Sequence, residues 1–403
     1  MTDYHLGDDV FESFRYNEKY ILHLLRLHQR ESKANLARHS GLTAAAVGGI
    51  MASLQQKGVV EKVGKVQGDM GQPATMFSLA KSGAYGIGVS INRGHIETAL
   101  MNLVGEVIGT KKHRQILPSP ERALEMVATD IRSLLAGLPQ EALVRVSGIG
   151  LAMPYQISRW QQENSDWSSW DDFDIAAELE REVGLRVYAQ NDVNAAAMAE
   201  MSYGVSCVNN DFLYMFFGSS QVQSFGGGLM LKGECRTGLT GNAGDVGLIP
   251  VPKGKLLSKG SHPLGDCTYL NERCSLYSLV KYLHSEGFTF DDAESFQKVF
   301  ALEPERVGRW IGDCVEALEC ALYAFQALVD VPTLIIDCED ADSALIERVI
   351  DGLSARLSSR DYPGITMPQV RRGSLGSAAA SMGAATVPLD ATLSPKLESS
   401  MLP

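Results

Sequence analysis

Nowhere in the 403 residues is there a run approaching the roughly 20 apolar side chains that a membrane-spanning helix needs. That leaves no helical membrane span in this chain. The opening segment from Met1 to Arg15 has acidic residues and no apolar run, so it does not resemble a signal peptide. Cysteine is scarce and scattered: seven in all, an odd number with no regular spacing, which argues against a disulfide framework. Positive charge is also in short supply, with 36 Lys and Arg against 48 Asp and Glu. The expectation is a cytoplasmic protein of two or three domains with an ordinary globular core.

The few basic residues are not spread evenly. Between Asn17 and Val66 there are eight Lys or Arg against three Asp or Glu, whereas from Lys81 onward 27 basic residues face 40 acidic ones. A basic module thus precedes an acidic body, and acidic surfaces repel nucleic acid. Any DNA should meet only the first 80 or so residues.

Within that module Ile21, Leu22, Leu24, Leu25 and Leu27 form a helical apolar face from Asn17 to His28. A short helix over Lys33–His39 follows. Gly41 permits a turn, and Thr43 caps a third helix carrying Val47, Ile50 and Leu54, ended by Gly58. Two apolar-faced helices joined by a Gly-containing turn match a helix-turn-helix. Strands at Val59–Val63 and Met76–Leu79, on either side of a Gly-rich loop from Gly64 to Pro73, add a wing. The module therefore reads as a winged helix-turn-helix; a small helical interaction domain is the alternative. Thr43 and its alanines offer little to hydrogen-bond a base edge. Lys33, Arg38, Lys62 and Lys65 suit phosphate contacts, and Gln72 a minor-groove base edge. Weak readout per half-site calls for a dimer.

After Gly83 strands alternate with helices. Tyr85–Ile91 with Ile96–Leu103 reads as a hairpin leading to a third strand at Val107, then a helix over Ala123–Leu135 and a strand over Val146–Ala152. Phe212–Phe217 and Gly226–Leu231 repeat the hairpin. Helices follow over Ser275–Ser285 and Glu303–Leu328, with a strand at Thr333–Asp337. Repetition of hairpin, strand and helix points to two related α/β lobes with a cleft between them. Asn191 and Asp192 fall where a strand through Val187 and Tyr188 passes into an alanine-rich helix, at the carboxyl end of a strand, where open α/β sheets place ligand groups. The alternative is that the pair only caps that helix.

Several of these segments together resemble the ROK family (repressors, uncharacterised reading frames and sugar kinases) in its transcription-factor branch. They are Gly71-Gln72-Pro73, Gly148–Pro154, the segment around Trp170, Gln190–Glu200, and Gly241–Leu248, the last similar to the signature Gly-x-Ala-Gly-Glu-x-Gly-His. The resemblance covers nearly the whole chain. It implies an α/β body of two actin-like, hexokinase-type lobes preceded by the amino-terminal winged helix-turn-helix domain. The corresponding boundaries are 1–82 for the head, 83–194 and 195–390 for the lobes with the carboxy-terminal helix returning to the first, and 391–403 for a tail. It further implies operator DNA and a small carbohydrate-like effector as partners, a repressor's role, and a homodimer or dimer of dimers. Asn191, Asp192, Asp245, Asn242 and Asp166 would bind the effector.

This chain departs from the family's kinases at each phosphate loop. Ser90 and Asn92 replace an Asp and a Gly; Gln221, Gln223 and Phe225 crowd the second loop; Glu339 and Asp340 load the third with negative charge. Phosphate sites need small residues and positive potential, so no catalytic residue is assigned and phosphorylation is not expected. Leu248 and Tyr269 replace two ligands of the family zinc site, leaving Cys267 and Cys274. A closed tetrahedral site needs four, so neither zinc nor any other cofactor is expected unless His262 or Asp266 substitutes. Leu248 and Leu276 replace two sugar-contacting polar groups, which predicts a more apolar pocket for a less polar sugar derivative. A sugar kinase with a fused DNA-binding head, and a regulator that has lost its effector, remain the alternatives.

Overall fold

The computed structural model describes residues 11, 13–67, 73–159, 167–204, 210–256, 263–289, 303–339 and 343–395. The head opens with α1 (Tyr16–His28), followed by β1 (Arg30–Ser32), α2 (Lys33–Ser40), α3 (Ala44–Gln56), β2 (Val60–Gln67) and β3 (Pro73–Leu79). Each boundary has a local cause. The Ser32 hydroxyl accepts from the Asn35 amide and the Thr43 hydroxyl from the Ala46 amide, both at 3.2 Å, which satisfies N–H groups that have no partner inside the helix. Gly41, at φ 70°, ends α2 in a left-handed conformation that a side chain would resist. The three strands pair in the order β1-β3-β2. The strands run further than the sequence suggests: β2 continues through Gly64 to Gln67 and β3 begins at Pro73. Lys65 is therefore a strand residue. β1, too short to show periodicity, had no signature.

The body contains two five-stranded sheets of identical plan. In the first are β4 (Tyr85–Ile91), β5 (His95–Asn102), β6 (Val107–Arg114), β7 (Val146–Met153) and β8 (Val187–Asn191), in the order β6-β5-β4-β7-β8. The helices α4 (Pro120–Leu135) and α5 (Ile175–Val183) pack on it around Ala123, Val127, Ile131 and Leu179. Next comes α6 (Asp192–Tyr203). The second sheet holds β9 (Phe212–Phe217), β10 (Phe225–Leu231) and β11 (Glu234–Cys235). A small ribbon of β12 (Pro250–Pro252) and β13 (Cys267–Tyr269) follows, then α7 (Leu276–Ser285), α8 (Pro304–Val329), β14 (Thr333–Cys338), α9 (Ser343–Ser358) and β15 (Gln369–Arg372). The order β11-β10-β9-β14-β15 repeats the first sheet, with an antiparallel hairpin followed by parallel strands in both. The final helix, α10 (Ala379–Leu393), extends three residues beyond the expected start of the tail at 391.

Two helices fill the space between the sheets. α10 lies on β4 and β7, α6 lies on the second sheet, and the two pack against each other. Small residues make this possible. A Cβ on Gly150 would collide with the Ala384 carbonyl, and one on Gly383 with the Ala195 carbonyl. The alanine run that follows Asn191 thus serves close helix packing.

The head is not an isolated bead. Its apolar core, with Ile21, Leu25, Leu36, Met51 and Leu54, continues into Met101, Leu103, Ala199, Leu389 and Leu393 of the body. Arg26 of α1 pairs with Asp390 of α10, and the Arg145 guanidinium donates to the carbonyls of Lys57 at 3.1 Å and Gly83 at 3.2 Å. Among the described residues no helix is long and apolar enough to cross a membrane.

Candidate functional site

A cleft with about 960 Å³ of empty space, part of it open to solvent, lies between the two sheets. The first lobe contributes the turn Asn92, Arg93 and His95 between β4 and β5, Pro154 and Tyr155 after β7, and Asn191 at the end of β8. The second contributes Ser219, Gln223, Asp245, Asn271 and Glu339, and Asp192 opens α6 at the centre.

The sequence around Asn191 explains its position. Its Oδ1 accepts from the Val193 and Asn194 amides, both at 3.0 Å, so it is the N-cap of α6. This leaves its amide nitrogen for Asn242 Oδ1 at 3.5 Å, and Asn242 in turn donates to Asp245 at 3.4 Å. One side chain thus both caps α6 and lines the cleft. Asn242 itself does not line the cleft; it ties Asn191 to Asp245 from behind. Gly244, at φ 91°, lies against β10, where a Cβ would meet the Leu229 amide. That close approach presents Asp245 beside Asp192.

Asp192 accepts from the Val193 amide at 3.0 Å. Burial raises its pKa from the ordinary carboxylate value to about 6, against the pull of that amide and of Arg93, with Asp245 adding to the rise. Asp245 is also raised, again by burial, opposed by Asn242, the Gly247 amide and Arg93. Arg93 is only 7% exposed; burial lowers its pKa, while the charges of Asp192 and Asp245 oppose the fall. His95 is pushed down to about 4, mainly by burial and then by Lys112. It is therefore neutral near pH 7, and its 3.6 Å approach to Glu339 is a dipolar contact across the lobes, not an ion pair. The Asn92 side chain accepts from the Gly94 and His95 amides, both at 2.8 Å, which shapes the turn that carries Arg93 and His95.

Several expectations are corrected by this geometry. Leu248 and Leu276 do not line the cleft, and Leu276 is fully buried in the core of the second lobe. The cleft wall carries the polar groups of Arg93, Asp192, Asp245, Asn271 and Glu339 beside apolar Tyr155, Phe216 and Val222. Trp170 is a core residue of the first lobe whose indole N–H donates to the Pro118 carbonyl at 3.1 Å. Of the three bulky loop residues, Gln221 is exposed and outside the cleft lining, Phe225 is buried edge-to-face on Phe217 at the cleft wall, and Gln223 lines the cleft while donating to Asn271 of the same lobe at 2.9 Å. Cys274 is buried, with its thiol on the Cys314 carbonyl at 3.5 Å, and Cys267 sits half-buried on β13. Asp166, Gln72, His262 and Asp340 lie outside the described residues. Arg93, His95 and Asn271 carried no motif, their only signal being a place in or beside a segment already singled out, whereas Glu339 had been singled out by its charge.

In the head, Thr43 is exposed at the start of α3 with its hydroxyl engaged as the cap. Lys33, Arg38, Lys62 and Lys65 are all exposed, on α2 and β2. The Lys33 ammonium stands 5.5 Å over the Phe77 ring.

The pattern of the ROK family matches residues 86–388. The chain is 24% identical over 279 residues to the xylose repressor of Bacillus spizizenii, spanning 68% of this chain and 70% of that protein. It is 27% identical over 177 residues to the glucokinase of Streptomyces coelicolor, spanning 43% of this chain and 53% of that enzyme. Among solved structures, a ROK transcriptional regulator homologous to the E. coli MLC protein superposes with a TM-score of 0.68 at 19% identity, covering 94% of this chain and 97% of that one. A ROK glucokinase from Streptomyces griseus, solved with glucose and AMPPNP, gives 0.58 at 22% identity, covering 75% and 99%. At such identities these structures speak to the fold, which is the actin-like, hexokinase-type pair of α/β lobes.

Proposed function

The chain belongs to the ROK family, and we propose that it is a transcriptional repressor whose head binds operator DNA and whose cleft binds a small sugar or sugar derivative. The head acts as a winged helix-turn-helix, with α3 as the recognition helix and the β2–β3 ribbon as the wing. It works as a dimer, because one head offers few base-reading side chains. Asn191, Asp192 and Asp245 hydrogen-bond the ring hydroxyls of the effector, and Asn271 and Arg93 complete the polar wall.

The observation that carries this reading is the path from cleft to head. α6 begins with Asp192 in the cleft and, at about 1.5 Å per residue, ends about 18 Å away at Tyr203. There Ser202 and Tyr203 line a second cavity together with Leu25 and Arg26 of α1 and Gln29 just beyond it. α10, packed along α6, ends beside the same place, with Asp390 on Arg26. An effector that binds one lobe arrangement more tightly shifts α6 and α10 against the head and changes the spacing of the two heads in the dimer. Only such differential affinity can move the equilibrium.

A sugar kinase is the second reading, favoured by Asp192, whose raised pKa suits a base. Against it stand the three nucleotide loops. In the cleft His95 meets Glu339 across the lobes, Gln223 is tied to Asn271 within the second lobe, and Glu339 adds negative charge where a nucleotide would need positive potential. The test is a thermal-shift screen of monosaccharides and their derivatives alongside ATP turnover with the same panel. A sugar that raises the melting temperature and releases the protein from DNA, without ATP turnover above background, is the expected outcome. Sugar-dependent ADP release would establish the kinase instead.

A further inference from the structure

Away from the cleft, one group of metal-ligating side chains stands together among the described residues. His28, Glu31 and His39 present ligand atoms that all lie within 4.8 Å of one another. The chain brings them together by local geometry. His28 is the last residue of α1, and Gln29 reverses the direction at φ 62°. Glu31 follows on β1, and Asn35 and His39 come at four-residue spacing on one face of α2.

The group has the construction of a ligand set. The Glu31 carboxylate is divided between two tasks. Its Oε2 accepts from the Asn35 side chain at 2.7 Å and from the Ser32 amide at 3.2 Å, while its Oε1 faces His39 Nε2 at 3.7 Å. Hydrogen-bonded support of this kind orients ligands at metal sites. The two imidazole rings are stacked, 4.5 Å between centroids and 20° from parallel. Both histidines are exposed, so their rings can turn without disturbing a core. Tetrahedral zinc, at about 2.0–2.2 Å from N and O ligands, spaces those ligands about 3.3 Å apart. Closing the group from 4.8 Å therefore needs a movement of about 1.5 Å, within the reach of side-chain rotation.

We infer that the head holds a divalent transition-metal site of the zinc class, formed by His28, Glu31 and His39. Two imidazoles with one carboxylate favour Zn²⁺, Co²⁺ or Ni²⁺ over the oxygen-seeking Mg²⁺ and Ca²⁺, and three protein ligands leave a position for water. A bound ion ties the end of α1 to the end of α2, the helix that leads through Gly41 into α3. It therefore stiffens the head at the base of α3. This site is distinct from the remnant cysteines at 267 and 274, and ion binding does not depend on whether the head contacts DNA.

The test uses the full chain, stripped by chelator and titrated with Zn²⁺ by calorimetry and with Co²⁺ by visible absorption. One ion per chain is expected, with a rise in melting temperature. His39→Ala and Glu31→Gln should each weaken binding about a hundredfold, and Asn35→Ala about tenfold, the loss typical of an outer-shell partner. Cys267→Ser with Cys274→Ser should leave it unchanged. Acidification should weaken binding, because protons compete for imidazole. Circular dichroism of each variant checks that the fold is intact, and His39→Ala, at an exposed position, is the variant that decides if a less exposed change disturbs it. No saturable binding of either ion, binding indifferent to His39→Ala, or binding lost only with the cysteines would each overturn the assignment.

Discussion

Effector affinity should depend on pH through Asp192, and the size of the effect follows from its surroundings. Burial raises the carboxyl to about 6, so it carries a proton below that pH and is ionised above it. A ligand hydroxyl donates to the ionised form. At about pH 7.5 nearly every molecule is ready to accept; at about pH 5 only about one in ten is, a tenfold rise in Kd or about 1.4 kcal/mol. Asp245, raised for the same reason, titrates in the same direction, so it can steepen the profile and never reverse it. His95, held at about 4, stays neutral across this window and contributes nothing. Asp192→Asn keeps the shape but removes the charge. A hydrogen bond to a charged group contributes about 1.5–3 kcal/mol, so Kd should rise about ten- to a hundredfold at pH 7.5. Calorimetry with the best sugar from the thermal-shift screen, repeated across the pH range on both proteins, reads this directly. Affinity that is flat or stronger in acid, or an Asp192→Asn variant that keeps the wild-type profile, would refute the placement of Asp192 against a ligand hydroxyl.

Three further outcomes are expected. Gly150→Ala puts a methyl into the Ala384 carbonyl and should cost about 1–3 kcal/mol as overpacking, seen as a lower midpoint in urea unfolding; an unchanged midpoint contradicts the close seating of α10. Arg26→Ala leaves Asp390 without its cation and should loosen the head from the body. The DNA affinity of that variant should respond less to sugar than the wild type does, and an equal response excludes this pair from the coupling path. Lys62→Ala and Lys65→Ala, at exposed positions on β2, should each reduce the slope of log affinity against log salt by about one phosphate contact; unchanged slopes remove the ribbon from the DNA surface.

Much of the secondary structure was legible in the sequence because its causes are local. The apolar periodicity of α1, the Thr43 cap, the Gly41 turn and the two hairpins each depend on residues within a few positions of one another. So does the N-cap role of Asn191, and the repeated hairpin–strand plan revealed two lobes before any contact was known. What escaped has a shared reason. β1 is three residues long and exists only through pairing with β3. Leu276 aligned with a sugar-binding position but turns into the core, because side-chain direction follows packing and not motif order. Arg93 and His95 of one turn and Asn271 of the other lobe acquire meaning only when the two lobes face each other.

The sequence by itself determined the repeated hairpin, strand and helix of the body, the basic head on an acidic body, and the Asn191–Asp192 turn, since propensity, capping and charge act along the chain. Only the tertiary structure decided which polar groups line the cleft, that its carboxyls are raised, and that α6 and α10 join it to the head. Burial and field are set by neighbours brought together across the fold, and no stretch of chain carries that information alone.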